Sequence, residues 1–193
     1  SFTDRGAVKR DLGLVLPKAL EQKAPFIIGT AGGAGSERHV QWLKEILLEI
    51  AAEKGLHFKL GIVFSDVSKE YVLEKFESGK ITNMSDEMPL SQKDIEESTT
   101  IVSQIGIAPI IELLKQKADV ILCGRACDTA IYAAPCIYNG YNPGLAFHMA
   151  KIMECGAMCS EPVAAADVMQ AYMYDDYFEL RPANPIRKCT VDR

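Results

Sequence analysis

The sequence predicts an α/β protein with a mainly parallel sheet, flanked by helices and followed by a C-terminal β-hairpin. Short apolar runs of strand length alternate with helical segments along most of the chain, which is the pattern of parallel strands joined by helices. A glycine-rich segment at residues 29–36 connects the first strand directly to a helix. The 193 residues, 48% of them hydrophobic and 24% charged, are enough for a substantial core.

Strands are predicted where an apolar run is too short for a helix and ends in a turn-forming or polar residue. Three such runs occupy residues 24–29, 57–64 and 118–123. A hairpin is predicted at residues 171–180, where two runs of β-forming residues flank Asp175 and Asp176.

Helices are predicted from apolar residues at helical spacing and from capping signals. The clearest amphipathic pattern covers residues 36–54 and ends at Gly55. Asn142 and Pro143 predict the start of a helix over residues 143–159. The weaker helical patterns lie at residues 7–20, 69–76, 91–105 and 109–114 and in a short stretch ending near residue 138, with a loop at residues 80–90.

Charge, hydropathy and cysteine placement exclude several classes of protein. The net charge is −5 and no Lys/Arg run is present, so we expect no nucleic-acid partner. No apolar run approaches the roughly 20 residues of a membrane span, so we expect no membrane partner. The six cysteines lie in apolar helix-like or strand-like segments, which predicts free thiols and a cytoplasmic protein.

Two regions are predicted along the chain. Residues 1–160 form an α/β lobe that contains the glycine-rich loop, and residues 161–193 form the hairpin and the start of a further region. The chain has no initiator Met and stops before an element is finished, so we expect it to be part of a longer protein. A thin sheet leaves helices to be covered, which predicts that the hairpin and residues 144–173 contact another copy of the chain or a missing lobe.

The glycine-rich segment is the strongest candidate for a ligand site. Glycines let the backbone turn tightly and expose N–H groups at the start of a helix, an arrangement that favours phosphate or carboxylate. The segment is neither a G-x-G-x-x-G motif, because Arg38 occupies the last glycine position, nor a Walker loop, because the lysine is absent. The structural alternative is a close-packed strand-to-helix turn. The candidate ligand-binding residues here are Gly29, Thr30, Gly32, Gly33, Gly35 and Ser36.

Charged residues follow the other two strands at the same predicted sheet edge. Asp66 follows the second strand, and Arg125 and Asp128 follow the third. Ligands of open α/β sheets bind outside the carboxyl ends of the strands. We therefore expect Asp66 and Arg125 to contact an anionic ligand and Asp128 to orient it or to act as an acid/base group. The alternatives are a helix cap formed by Asp66 and an internal salt bridge formed by Arg125 and Asp128.

The predicted helix at residues 143–159 presents a second set of reactive side chains. Those on one face are His148, Lys151, Cys155 and Cys159. This set is compatible with an activated thiolate, with Cys155 as nucleophile and Glu154 or Asp128 as the acid/base group. The alternative is a half-buried helix whose thiols only pack. The cysteine and histidine spacings do not match a zinc site, so no metal site is predicted and the cofactor stays open.

Six segments carry a family resemblance, in order along the chain: residues 4–7 (DRGA), 26–35 (FIIGTAGGAG), 118–128 (ADVILCGRACD), 153–157 (MECGA), 179–185 (ELRPANP) and 188–190 (KCT). Together they resemble the acyclic terpene utilisation (AtuA-like) family. The resemblance implies a process, the bacterial catabolism of acyclic terpenoids such as citronellol and geraniol, and it implies no particular reaction. Relatives often have a Thr/Gly-rich turn where this chain has Cys-Ser-Glu-Pro at residues 159–162.

Three functions are compatible with these residues. The first is an enzyme of small-molecule catabolism that binds an anionic substrate, a carboxylate or an acyl-CoA, at the carboxyl edge of the sheet. The second is a non-catalytic ligand-binding or assembly subunit, and the third is a nucleotide-binding α/β protein with an atypical glycine-rich loop. The residues favour an enzyme, and the reaction class is left open.

Overall fold

The computed structural model describes residues 3–84, 88–163 and 167–190. The strands are β1 (Phe26–Ile28), β2 (Leu60–Val63), β3 (Val120–Cys123), β4 (Met169–Met173) and β5 (Phe178–Pro182). The α-helices are α1 (Arg5–Glu21), α2 (Glu37–Lys54), α3 (Lys69–Glu77), α4 (Gln92–Glu97), α5 (Ile107–Lys115), α6 (Ala130–Tyr138) and α7 (Pro143–Met153), and a short 3-10 helix follows at Gly156–Cys159. Parts of the predicted loop 80–90 and of the predicted region 161–193, namely residues 85–87, 164–166 and 191–193, lie outside the described residues.

The first three strands form one parallel sheet in the order β1-β3-β2. Ile121 in the central strand is in register with Ile27 on one side and with Gly61 on the other. All four residues of β3 are buried, as expected for the middle strand of a sheet covered on both faces. The α/β prediction is therefore confirmed, and the carboxyl ends of all three strands lie at one edge.

Helices cover both faces of this sheet. Successive side chains of β3 point to opposite faces, so each face contributes its own side chains to the packing. Val120 and Leu122 pack with the buried faces of α1 and α2. Ile121 and Cys123 pack on the opposite face with α5 and α6. The two clusters together make the core that holds the strand ends in place.

The predicted hairpin is also confirmed, as the antiparallel pair β4–β5. Its inner face packs against α7 through buried methionines, Met149 and Met153 from the helix and Met169 from β4. These methionines are therefore covered by the chain itself, although Met158 and several hairpin aromatics are exposed.

Two predicted helices differ from the observed ones in ways that local geometry explains. The helix predicted over residues 143–159 ends at Met153, because Gly156 has a left-handed backbone (φ 58°) and starts a tighter 3-10 turn. The interrupted pattern at residues 7–20 is instead one continuous helix, α1, which runs through Gly13 and Pro17. Packing of the fully buried Leu16 against α2 offsets the weak local propensity.

The helix predicted over residues 91–105 is wrong beyond Glu97. The capping box at Ser91 and Asp94 is present, but α4 has only six residues. The following segment, residues 98–105, crosses the carboxyl edge of the sheet in extended form. Val102 forms an isolated bridge with Asp66, and Ile105 forms one with Ala126. These long-range backbone hydrogen bonds replace those that a longer helix would have made.

No helix in the described part of the chain is long and apolar enough to cross a membrane.

Candidate functional site

The three strand ends meet through Ser65, which lies two residues after the end of β2. Its hydroxyl donates a hydrogen bond to the carbonyl of Gly35 (2.9 Å) and accepts one from the N–H of Arg125 (2.7 Å). Ser65 is buried. One side chain therefore joins the glycine-rich loop to the Arg125 segment, as the parallel sheet predicted for the strand ends.

Close packing explains two glycines at this junction. A Cβ on Gly35 would lie 2.3 Å from the Arg125 nitrogen, and a Cβ on Gly124 would lie 2.4 Å from Ser65 Oγ. Neither distance is physically attainable for a side chain without moving the backbone. The predicted alternative of a close-packed turn thus describes Gly35 well.

Gly33 is constrained only by its backbone. Its φ of +90° is costly for any residue with a side chain, yet a Cβ there would meet nothing within 4 Å. Gly33 and Ala34 are exposed. The tip of the loop is therefore open, while its two ends are packed.

Most polar groups of the loop are already paired within the protein. Thr30 Oγ1 accepts from the N–H of Ala126 (3.1 Å) and donates to the carbonyl of the same residue (3.3 Å). Three N–H groups of the loop are bonded in Ala31 N–Cys123 O, Gly33 N–Thr30 O and Gly35 N–Ala31 O pairs. The N–H groups of Thr30, Gly32, Ala34 and Ser36 have no acceptor among the described residues. Of these four, the donors of Gly32 and Ala34 lie nearest the open tip of the loop.

Arg125 lies beside this loop, and its side chain has no hydrogen-bond or ion-pair partner among the described residues. Its backbone is fixed at both ends, since its N–H bonds Ser65 and its carbonyl accepts from Ile105 N (2.7 Å). Its side chain is half-buried. Within residues 3–84, 88–163 and 167–190 the guanidinium makes no hydrogen bond or ion pair, so the salt bridge considered for Arg125 and Asp128 is not formed.

Ser36 and Asp66 have structural partners. Ser36 Oγ is hydrogen bonded to Nδ1 of His39 (2.7 Å), and both side chains are buried. Asp66 Oδ2 accepts the N–H of Glu37 (2.7 Å), the first residue of α2. This geometry is the helix-cap alternative for Asp66, supplied from a neighbouring strand end.

The candidate catalytic residues Asp128, Glu154 and Cys155 lie close enough to interact electrostatically with two further side chains, those of Tyr132 and Lys151. Glu154, whose side chain is only 12% exposed, forms an ion pair with Lys151. Glu154 holds the pKa of Lys151 above its ordinary value, and Cys155 and Asp128 add to that effect. The charges of these side chains are thus close enough to influence one another.

Tyr132 is the residue of this cluster that sequence analysis missed. Burial raises the pKa of the Tyr132 phenol, and the negative charges of Asp128 and Glu154 raise it further. Tyr132 therefore stays protonated and can donate a proton or a hydrogen bond. Tyr132 lies in the first turn of α6, four residues after Asp128, which precedes the N-cap Thr129. That short separation along the chain is the signal that the two side chains lie close together.

All six cysteines are free thiols, in very different environments. Burial raises the pKa of Cys123 to about 12, so that thiol stays protonated and packs. Burial also raises the pKa of Cys159, and the neighbouring Cys189 and Cys155 raise it further. Cys155 and Cys189 are exposed. Among the described residues no group of three or more His, Cys, Asp or Glu side chains could hold a metal ion.

The fold and these strand-end loops define an open parallel α/β protein with its candidate site at the carboxyl edge of the sheet. The family model of the acyclic terpene utilisation family protein AtuA matches residues 6–177 of this chain. The chain therefore belongs to the acyclic terpene utilisation family, which relates it to the use of acyclic terpenes and confirms the resemblance found in the sequence. No curated protein and no solved structure matches the chain.

Proposed function

We propose that this protein binds a small anionic substrate of catabolism, a carboxylate or an acyl-CoA, at the carboxyl edge of its sheet. The observation that carries the proposal is the half-buried Arg125, whose guanidinium has no partner among the described residues. A partly desolvated cation favours an anion beside it, because charge-assisted hydrogen bonds are roughly twice as strong as neutral ones. The family's place in acyclic terpene utilisation supports a small organic substrate.

The loop supplies the other half of the anion site in this proposal. The unbonded N–H groups of Gly32 and Ala34 lie in the same loop as Gly35, which contacts the Arg125 backbone. Backbone donors at the start of α2 also benefit from the partial positive charge of the helix. In this proposal Arg125 supplies the positive charge that pairs with the anionic group of the ligand, and the loop supplies backbone N–H donors at fixed positions.

The acid/base cluster that contains Asp128, Tyr132, Lys151, Glu154 and Cys155 is the proposed catalytic part of the site. Asp128 is three residues along the chain from Arg125 and acts on both Tyr132 and Lys151. In this proposal Asp128 or Glu154 accepts a proton, Tyr132 donates one, and the exposed Cys155 is the nucleophile. Lys151, held protonated by Glu154, offers a positive charge beside the thiolate.

The anion site is tested by replacing Arg125 without changing its size much. We expect Arg125→Gln to weaken binding of decanoate and of coenzyme A about tenfold or more, since a hydrogen bond to a charged group contributes about 1.5–3 kcal/mol. Isothermal titration calorimetry measures both. Arg10→Gln is the matched control, because Arg10 is exposed and its ion pair is with the neighbouring Asp11. Equal affinities for the wild type and Arg125→Gln would refute the proposal.

The nucleophile is tested separately by thiol alkylation. Cys155 and Cys189 are both exposed, so exposure alone gives them similar rates with iodoacetamide. Activation by Lys151 makes Cys155 react several times faster than Cys189, and Lys151→Gln removes that difference. Peptide mass spectrometry follows each site, with the buried Cys123 as the unreactive reference. Equal rates at Cys155 and Cys189 would instead favour the non-catalytic ligand-binding subunit.

A further inference from the structure

An apolar pocket of about 430 Å³ opens between α3, α4 and the segment at residues 98–105. Its volume falls in the range of small-molecule sites, roughly 300–1,000 Å³. Most of its lining is aliphatic, including Val67, Leu90, Ile95, Ile101 and Val102. The pocket exists because α4 stops at Glu97 and the chain then returns across the sheet edge in extended form.

Two of the polar side chains in the lining, Asp94 and Ser98, already have hydrogen-bond partners. The Asp94 carboxylate accepts hydrogen bonds from both the N–H and the hydroxyl of Ser91 (2.8 and 2.6 Å), which also lower its pKa. Ser98 Oγ donates to the carbonyl of Asp94 (2.6 Å). The pocket therefore offers a ligand mainly apolar contact, which favours a hydrocarbon group over a polar one.

The buried residue Ser65 connects the pocket to the proposed anion site. Ser65 holds the Gly35 carbonyl with its hydroxyl, and its own carbonyl accepts the N–H of Ser103 (2.8 Å). Ser103 is part of the pocket lining, and so is Val67, two residues after Ser65. Ser65 is therefore hydrogen bonded both to the Arg125 backbone and to Ser103 in the lining of the apolar cavity.

We propose that this pocket holds the aliphatic chain of the ligand whose anionic end binds at Arg125 and the glycine-rich loop. The inference rests on the proposed function and deepens it, because it makes the substrate an amphipathic anion and assigns its chain to named residues. The cavity is linked through Ser65 to Arg125, whose guanidinium has no partner among the described residues, and this combination matches an acyl chain with a charged head.

Two pocket-filling variants and three probes test the proposal. Ile101→Trp fills the cavity and keeps the backbone hydrogen bond from Val67 N to Ile101 O, and Leu90→Trp fills it from a loop, where misfolding is less of a concern. Leu14→Trp on α1 is the matched control, because Leu14 is 69% exposed and is not part of the pocket. Circular dichroism checks the fold, and calorimetry measures binding of hexanoate, decanoate and the uncharged decanol.

The expected result is a steep dependence on chain length that the pocket variants remove. Each added methylene that is buried strengthens binding about fourfold. In the wild type and Leu14→Trp, decanoate should therefore bind at least tenfold more tightly than hexanoate. A folded Ile101→Trp or Leu90→Trp variant should lose that difference.

The probes separate failure of the pocket from failure of the anion site. If decanoate and hexanoate bind equally and only Arg125→Gln weakens them, the pocket proposal is overturned and the anion site stands. If decanol binds as tightly as decanoate and the pocket variants abolish both, the pocket stands and the anion site fails. A change of oligomeric state in Ile101→Trp and Leu90→Trp, measured by light scattering with no change in decanoate affinity, would assign the cavity to another chain and overturn the proposal.

Discussion

Gly33 and Gly35 lie two residues apart and are required for different physical reasons, which makes them a matched pair. Gly33→Ala adds a side chain in open space at φ +90°, so only the backbone strain counts. We expect it to lower the free energy of unfolding by about 1–2 kcal/mol. Gly35→Ala adds the same strain and also forces the Arg125 backbone away, which should cost about 3 kcal/mol or more.

Urea denaturation of both variants measures this difference. Gly33→Ala should also lose less affinity for decanoate than Gly35→Ala, because of these two glycines only Gly35 packs against the Arg125 backbone. Equal losses of stability in the two variants would show that the loop end is not packed against Arg125 as described.

The position of a single residue at the carboxyl edge of the sheet was predictable from the sequence where that residue follows a predicted strand. Asp66 lies three residues after β2 and Arg125 two residues after β3, so the parallel sheet alone brought them to one edge. Ser65 follows β2 in the same way and could have been found by that rule. What each side chain does there was not predictable, because the bond between Asp66 and Glu37 joins residues 29 positions apart in the chain.

The pairing of α1 with α2 gives an element-scale prediction about acid stability. Glu49 on α2 forms an ion pair with Arg5 on α1 (2.5 Å) and a second with Lys9 (3.2 Å). The hydrogen bonds from Arg5 and Lys9 lower the pKa of Glu49 to about 2 from 4.5. A lowered pKa in the folded state means that the stabilisation is complete above pH 4.5 and is lost as the pH falls towards about 2.

Glu49→Gln should therefore reduce stability near neutral pH and have a smaller effect at about pH 3. The midpoint of urea unfolding at the two pH values measures this. Glu53→Gln is the matched control: Glu53 also pairs with Lys9 on α1, but it is more exposed and is not bonded to Arg5. A loss in Glu49→Gln that is equal at both pH values would contradict the assignment.

Elements were predictable from the sequence where their signals were local. The helix at residues 36–54 has apolar residues at helical spacing and ends at Gly55, whose αL backbone closes the helix. The segment at residues 98–105 has no such signal, because its partners Asp66 and Ala126 are distant in the chain. The strand order β1-β3-β2 is non-local in the same way, and the apolar pocket depends on both features.

At the scale of the whole molecule, the hairpin has two faces with different roles. Its inner face is used within the chain, where Met169 packs against Met149 and Met153 of α7. Its outer face exposes Tyr172, over whose ring Arg181 lies at 4.6 Å, and the turn exposes the stacked Tyr174 and Tyr177 (4.4 Å between ring centres). Tyrosine and arginine are the residues enriched in the centres of protein interfaces.

We predict that this outer face joins two copies of the chain. Light scattering should give a mass above 21.2 kDa that falls on dilution. Tyr172→Ser and Tyr177→Ser should shift the protein towards the monomer, because each removes an exposed ring from the contact. Leu48→Ser is the control, since Leu48 is as exposed as Tyr177 and lies on α2, outside the hairpin. A monomer at every concentration would contradict the prediction and leave the aromatic face for a different chain segment.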